Sequence, residues 1–202
     1  LSDLERRLGE FVSKTLGAFP AECIARSGDP SRGIVELVSE RSVELVVIGT
    51  HGRGPFRRML LGSVASKLLH DLSVPILTGA HMAELEPWDR RPYQRIVCAV
   101  ELDEHSRRAL EFARDLGQVC GARLDVVHAA PSLELSGALG GEDWFPPNLR
   151  SQVVADHTDR VKHLVSEAGC NADIHVEASD AVPFILNQIE QLKADLLVVG
   201  KA

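Results

Sequence analysis

Residues 43–63 read Val-Glu-Leu-Val-Val-Ile-Gly-Thr-His-Gly-Arg-Gly-Pro-Phe-Arg-Arg-Met-Leu-Leu-Gly-Ser, and their reading decides the fold. Residues 43–49 form a near-continuous β-branched and aliphatic run, the pattern of a strand buried on both faces of a parallel sheet. A glycine-rich loop follows, and Val64, Leu68 and Leu69 then fall at the spacing of a helix. Neither G-x-G-x-x-G nor the P-loop pattern G-x-x-x-x-G-K-[ST] is present, so a dinucleotide fingerprint and a Walker-type motor are both excluded at this loop. The parts nevertheless suit an anion. Glycines let backbone N–H groups approach a polyphosphate, a helix start adds unpaired donors and the positive end of its dipole, and Ser63 offers a hydroxyl. Arg53, Arg57 and Arg58 with no carboxylate between 49 and 63 make the loop locally cationic.

Strands and helices alternate outward from this stretch. Upstream, Leu1, Leu4, Leu8, Phe11, Val12 and Leu16 mark an amphipathic helix, and residues 21–27 read as a short strand. A turn at 28–31 leads into a helix with Ile34, Val35 and Val38 on its apolar face and Asp29 or Ser31 as cap. Downstream, residues 73–79 are another short strand, and residues 81–94 read as a linker with two prolines, mixed charge and no periodicity. The alternation then restarts. Strands are expected at 95–100, 122–130, 173–179 and 195–200. Helices are expected through Ala109 to Val119, Leu149 to Val165 and Val182 to Leu192, with a long Pro- and Gly-rich loop at 131–147. This order argues for open parallel α/β sheets. Setting Gly49 on Gly200 gives an offset of 151 residues, which also superposes Asp29 on Asp180, Ile34 on Ile185, Leu45 on Leu196 and Val47 on Val198. The chain is therefore expected to hold two copies of one unit. The first spans 1–80 and lacks its opening strand-helix-strand; the second spans 95–202 and lacks its final loop, helix and strand.

The 22 basic and 29 acidic residues leave a formal net charge of -7, unevenly placed: residues 1–80 carry +1 and residues 81–202 carry -8. A global basic surface for nucleic acid is excluded. No apolar run approaches the roughly 18 residues of a bilayer span, and the first residues lack the pattern of a secretory leader, so a cytoplasmic protein is expected. The four cysteines, Cys23, Cys98, Cys120 and Cys170, contain no C-x-x-C pair and are expected as free thiols. The histidines contain no H-E-x-x-H, and His157 and His163 do not share a helix face, so no dedicated metal site is expected. Asp103, His105 and Ser106 fall together at a helix start, where Asp103 reads as an N-cap rather than as part of a catalytic triad, and no catalytic residue is assigned.

Gly49-x2-Gly52-x9-Gly62-Ser63 resembles the G-x2-G-x9-G-[S/T] pattern of the universal stress protein family. The flanking segments resemble it too: the strand at 43–49, Gly62 to Leu77 after the loop, Gly28 to Arg41 upstream, and Arg95 to Gly117 in the second copy. The resemblance implies two tandem open parallel five-stranded sheets flanked by helices, Rossmann-like, each partial in this chain. It implies binding of ATP, with Mg2+ an option, or of AMP or ADP, by a stress-response regulatory module. Carried over by position, Gly49, Gly52, Gly62, Ser63 and the N–H of Val64 would hold phosphates, Ile48 and His51 would flank ribose and phosphates, and Arg53 would screen charge. Family members that bind nucleotide usually end the first strand with Val-Asp-Gly-Ser. Here the second copy reads Val100-Glu101-Leu102-Asp103, so Val100, Glu101 and Ala129 are the candidate adenine side of an altered site. Two other readings stand beside this one. One is a nucleotide-free module that self-associates through edge strands such as 73–79; the other is a slow ATPase.

Overall fold

The computed structural model describes residues 2–17, 20–50, 62–79, 93–132 and 148–201. The chain divides into two compact units, 1–87 and 88–202. The expected linker at 81–94 falls, except for Tyr93 and Gln94, outside the described residues.

In the first unit, α1 (Ser2–Leu16) and α2 (Pro30–Arg41) precede β1 (Val46–Gly49), α3 (Ser63–Asp71) and β2 (Ile76–Gly79). Asp29 rather than Ser31 caps α2: its carboxylate accepts the Arg32 N–H at 2.8 Å, and Pro30 opens the helix where no intrahelical donor is needed. Strands β1 and β2 pair in parallel from Val46↔Ile76 to Gly49↔Gly79. Helices α2 and α3 pack on each other, with Ala65, Leu68 and Leu72 buried.

Two expectations fail here. Residues 21–27 form no strand. A strand needs a ladder, and among the described residues of this unit only β1 and β2 pair; the segment is instead pinned to α2 by ion pairs Arg26–Glu40 at 2.5 Å and Glu22–Arg41 at 3.1 Å. The strand expected at 43–49 is confined to 46–49 and is not buried on both faces, since Val47 is 55% exposed. A continuous apolar run records the capacity to be covered on both sides, whereas the described part of this unit shows helices packed on each other and no cover over Val47.

The second unit contains β3 (Arg95–Ala99), α4 (Glu104–Cys120), β4 (Arg123–Ala130), α5 (Leu149–Glu167), β5 (Asp173–Ala178), α6 (Ala181–Leu192) and β6 (Leu196–Val199). All pairings are parallel and the strand order is β5-β4-β3-β6. The period-2 alternation divides the sheet cleanly between two cores. Ile96, Cys98, Leu124 and Val126 pack against Leu110 and Ala113 of α4 and Val161 and Val165 of α5, while Val97 and Val127 pack against Phe184 of α6. Gly121, at φ 67°, ends α4 in the left-handed conformation that glycine adopts without a Cβ penalty. Asp180 sits where the offset places Asp29, yet its side chain makes no cap hydrogen bond. The position three residues on is Pro183, which has no N–H to give.

The chain runs outward from β3 through β4 to β5, then returns through α6 to the other side of β3. That reversal puts the topological switch point, the usual place for a ligand in an open α/β sheet, between the carboxyl ends of β3 and β6. By the 151-residue offset, β1 occupies the place of β6 and β2 lies beyond it.

Candidate functional site

In the first unit, Ile48 and Gly49 end β1 and are half-buried, as is Gly62. The ends of the intervening loop are tied: the Gly62 N–H donates to the Thr50 carbonyl at 2.7 Å, and Thr50 in turn donates its N–H to the Gly79 carbonyl at 3.4 Å. Gly62 is the N-cap of α3, and no side chain caps that helix. Its carbonyl accepts the Ser66 N–H at 2.8 Å, so the N–H groups of Ser63, Val64 and Ala65 precede the first intrahelical donor. No acidic residue stands in the first turn. The structure thus brings Ile48, Gly49, Gly62, Ser63 and Val64 to the end of one strand and the start of one helix. His51, Gly52 and Arg53 lie outside the described residues. Lys67, one turn into α3, pairs with Asp29 at 3.6 Å. The Asp29 carboxyl lies below the usual carboxylate range, held there first by the Arg32 N–H and then by the charge of Lys67.

In the second unit, the turn between β3 and α4 is built by two short side chains. Asp103 caps α4, accepting the Ser106 N–H at 2.7 Å, and buried Ser106 accepts the Glu101 N–H on its hydroxyl, also at 2.7 Å. The Ser106 hydroxyl and N–H together hold the Asp103 carboxyl below its ordinary value. Asp103 and Ser106 are therefore engaged in shaping the turn, and His105 is exposed. Leu102 adopts φ 65°, the left-handed region, so the residue that stands in place of a glycine keeps a conformation a glycine would take freely. Gly200, at the end of β6, comes so close to this turn that a Cβ there would lie 3.3 Å from the backbone of His105.

The structure does not bring the three candidate adenine residues to one face. Val100 is buried with the α4 and α5 core, Ala129 packs on the α6 side, and Glu101 is exposed. Adjacent strand ends present alternate residues to opposite faces, which naming residues by sequence position alone does not separate.

Two buried polar residues of β4 escaped the sequence reading. Asp125 is fully buried and holds Arg95 through Nε at 2.8 Å and Nη2 at 3.1 Å, and His175 through Nε2 at 2.9 Å. Burial alone would raise its carboxyl; the hydrogen bonds and charges of Arg95 and His175 outweigh that and hold it below the usual range. His128 is also buried, with Nδ1 2.7 Å from the Val100 carbonyl oxygen and Nε2 2.8 Å from Nδ1 of His157 on α5. The signal for both lay in the strand RLDVVHAA: a carboxylate and an imidazole inside an apolar run need partners.

An open groove of about 450 Å³ runs along α5 past Leu102, lined by Asp156, Asp159, Arg160, His163 and Glu167, and by none of the candidate nucleotide residues. Among the described residues no group of three or more His, Cys, Asp or Glu side chains is placed to hold a metal, and no helix is long and apolar enough to cross a membrane.

The sequence profile of the universal stress protein family matches this chain twice, over residues 5–78 and 92–202. A universal stress protein of Mycobacterium tuberculosis is 28% identical over 168 residues, a match that covers 74% of this chain and 56% of that protein. The stress response protein NhaX of Bacillus subtilis is 26% identical over 130 residues, 52% of this chain and 78% of that protein. The chain thus spans little more than half of its mycobacterial relative. Among solved structures, a universal stress protein from Archaeoglobus fulgidus superposes over 97% of this chain and 64% of that chain with a TM-score of 0.65 at 24% identity, which shows the fold. The doubled profile match and the shared parallel α/β architecture place this chain in the universal stress protein family.

Proposed function

We propose that the first unit binds the phosphates of an adenine nucleotide, ATP or its AMP and ADP relatives, at the junction of β1 and α3, and that the protein acts as a stress-response module gated by that ligand. The observation that carries the reading is the start of α3. A glycine cap without a side chain and a first turn without carboxylates leave successive N–H donors and a positive dipole end for an anion. Hydrogen bonds from Gly62 to Thr50 and from Thr50 to Gly79 tie the end of β1 to the start of α3. Gly49, Ser63 and Val64 would donate to phosphate oxygens, Gly62, whose N–H is held by Thr50, would let the phosphate approach the start of α3, Ile48 would border the ribose, and His51 and Arg53 would complete the phosphate side. Mg2+ would enter with the nucleotide. No base or metal-binding carboxylate is assigned at this site, so hydrolysis would be slow.

The test uses Gly62→Asp. Aspartate is at least as good an N-cap as glycine, so α3 is preserved, while its carboxylate occupies the donors and repels phosphate. Titration calorimetry with ATP should show affinity falling at least tenfold, with the far-UV circular dichroism unchanged. Equal affinity would refute the phosphate assignment. A second reading, association between copies of the chain, is favoured by the apolar side chains that β1 and β6 leave exposed, Val47 and Val199. Sedimentation with and without nucleotide separates it from the first.

A further inference from the structure

We propose that His128 and His157 form a proton-gated strut that ties the carboxyl end of β3 to α5, so that the turn bearing Glu101 and Leu102 responds to pH. This goes beyond the nucleotide reading and does not depend on it, since it concerns the second unit.

The hydrogen bonds dictate the protonation states. A carbonyl oxygen only accepts, so the contact of His128 Nδ1 with the Val100 oxygen, at 2.7 Å, places a hydrogen on Nδ1. In the neutral ring Nε2 is then an acceptor. Its partner 2.8 Å away, Nδ1 of His157, must therefore carry a hydrogen, which leaves Nε2 of His157 with the free lone pair. The chain of donors runs from His157 to His128 to Val100, across 29 residues of sequence between strand and helix. The rings lie nearly parallel, 13° apart, with centroids separated by 5.0 Å.

This arrangement accepts one proton and resists a second. The first binds Nε2 of His157 and breaks nothing; the bond from its Nδ1 to His128 becomes charge-assisted and stronger. A second proton has only Nε2 of His128 to bind. It would set two N–H groups against each other at 2.8 Å and two imidazolium rings side by side, so the strut would open. The charged and titratable groups that bear on His128 are His157 and Arg160 from α5 and Glu101 from the turn after β3. Burial is the leading effect and holds His128 below the ordinary imidazole value of 6.5; His157 and Arg160 act in the same direction, and the bond to Val100 and the charge of Glu101 oppose them. The two rings titrate as a pair, and it is the second step that breaks the His128–His157 bond, so that His128 and the Val100 carbonyl it still holds come free of α5.

Long-range proton-nitrogen spectra of the imidazoles, recorded on the full chain from neutral to acid pH, test the strut. At neutral pH His128 should show the Nδ1–H tautomer, and the amide resonances of Glu101 and Leu102 should move in a step below pH 6.5, coincident with protonation of His128 at Nε2. His157→Asn keeps an amide donor to His128 and removes the competing charge, so the His128 titration and the amide step should move together to higher pH. His128→Asn keeps the donor to Val100 and has no ring nitrogen to protonate, so the step should vanish while the fold is retained. An Nε2–H tautomer for His128, or an amide step unmoved in either variant, overturns the proposal.

Discussion

Replacing Asp125 by asparagine tests how the second unit is held together. The carboxylate is fully buried on β4, and its partners reach it from β3 and β5, so Arg95, Asp125 and His175 clamp three adjacent strands on the α6 face. Asparagine keeps the shape and removes the charge. Breaking a buried ion pair by neutralising one partner costs about 3–5 kcal/mol, because the other charge is left uncompensated. The side chains of Arg95 and His175 keep 28% and 31% of their surface in solvent, and water there can rehydrate them. The lower end therefore applies, about 3 kcal/mol, which is roughly a 150-fold rise in the population of the open unit. Hydrogen exchange of the Val97, Val126 and Val127 amides, on the buried paired strands β3 and β4, reads that population directly. A rise under fivefold in Asp125→Asn would refute the argument. The pH dependence supplies a second check. The Asp125 carboxyl has its folded pKa below the unfolded value, so its contribution is complete above about pH 4 and is lost as pH falls through the folded pKa. The variant should lack that part of the acid sensitivity. Replacing the charges together, as Arg95→Met with Asp125→Leu, should recover most of the loss, since an apolar substitute strands no carboxylate.

Two further expectations concern the same unit. Ser106→Ala removes the hydroxyl that accepts the Glu101 N–H and should destabilise the unit by about 1–2 kcal/mol, measured as faster exchange across β3 and α4; a change below about 0.5 kcal/mol would mean the turn finds another acceptor. The Cys98 thiol is buried, and its desolvation pushes it up to about 12, so alkylation at pH 8 should leave Cys98 unmodified in the folded protein and modify it on denaturation, as peptide mass mapping would show; rapid native labelling would contradict the packing of β3.

The fold was legible in the sequence wherever a segment's own pattern carries the information. Apolar residues in RIVCA alternate between two covered faces, and the capping residues Asp29 and Asp103 stand where short polar side chains precede helical spacing. It was illegible where structure depends on a neighbour. Residues 21–27 have strand composition and no described ladder partner; Val47 has core character and no described cover. The candidate site divides in the same way. Gly62 and Ser63 are local to one loop and helix, and their spacing announces them. His128 and His157 meet through the packing of α5 on β4, a contact no spacing encodes, and Val100 and Ala129 are neighbours in the sheet whose side chains leave in opposite directions.

Leu102 carries a consequence for how this turn can vary. Its left-handed backbone costs about 1–2 kcal/mol relative to glycine. Its side chain packs partly against the core under α4 and α5, and half of a leucine's transfer energy recovers about 1 kcal/mol. The two effects nearly cancel, so selection for folding alone is close to indifferent between glycine and leucine here. Position 102 can therefore change between glycine and leucine at little cost to the scaffold.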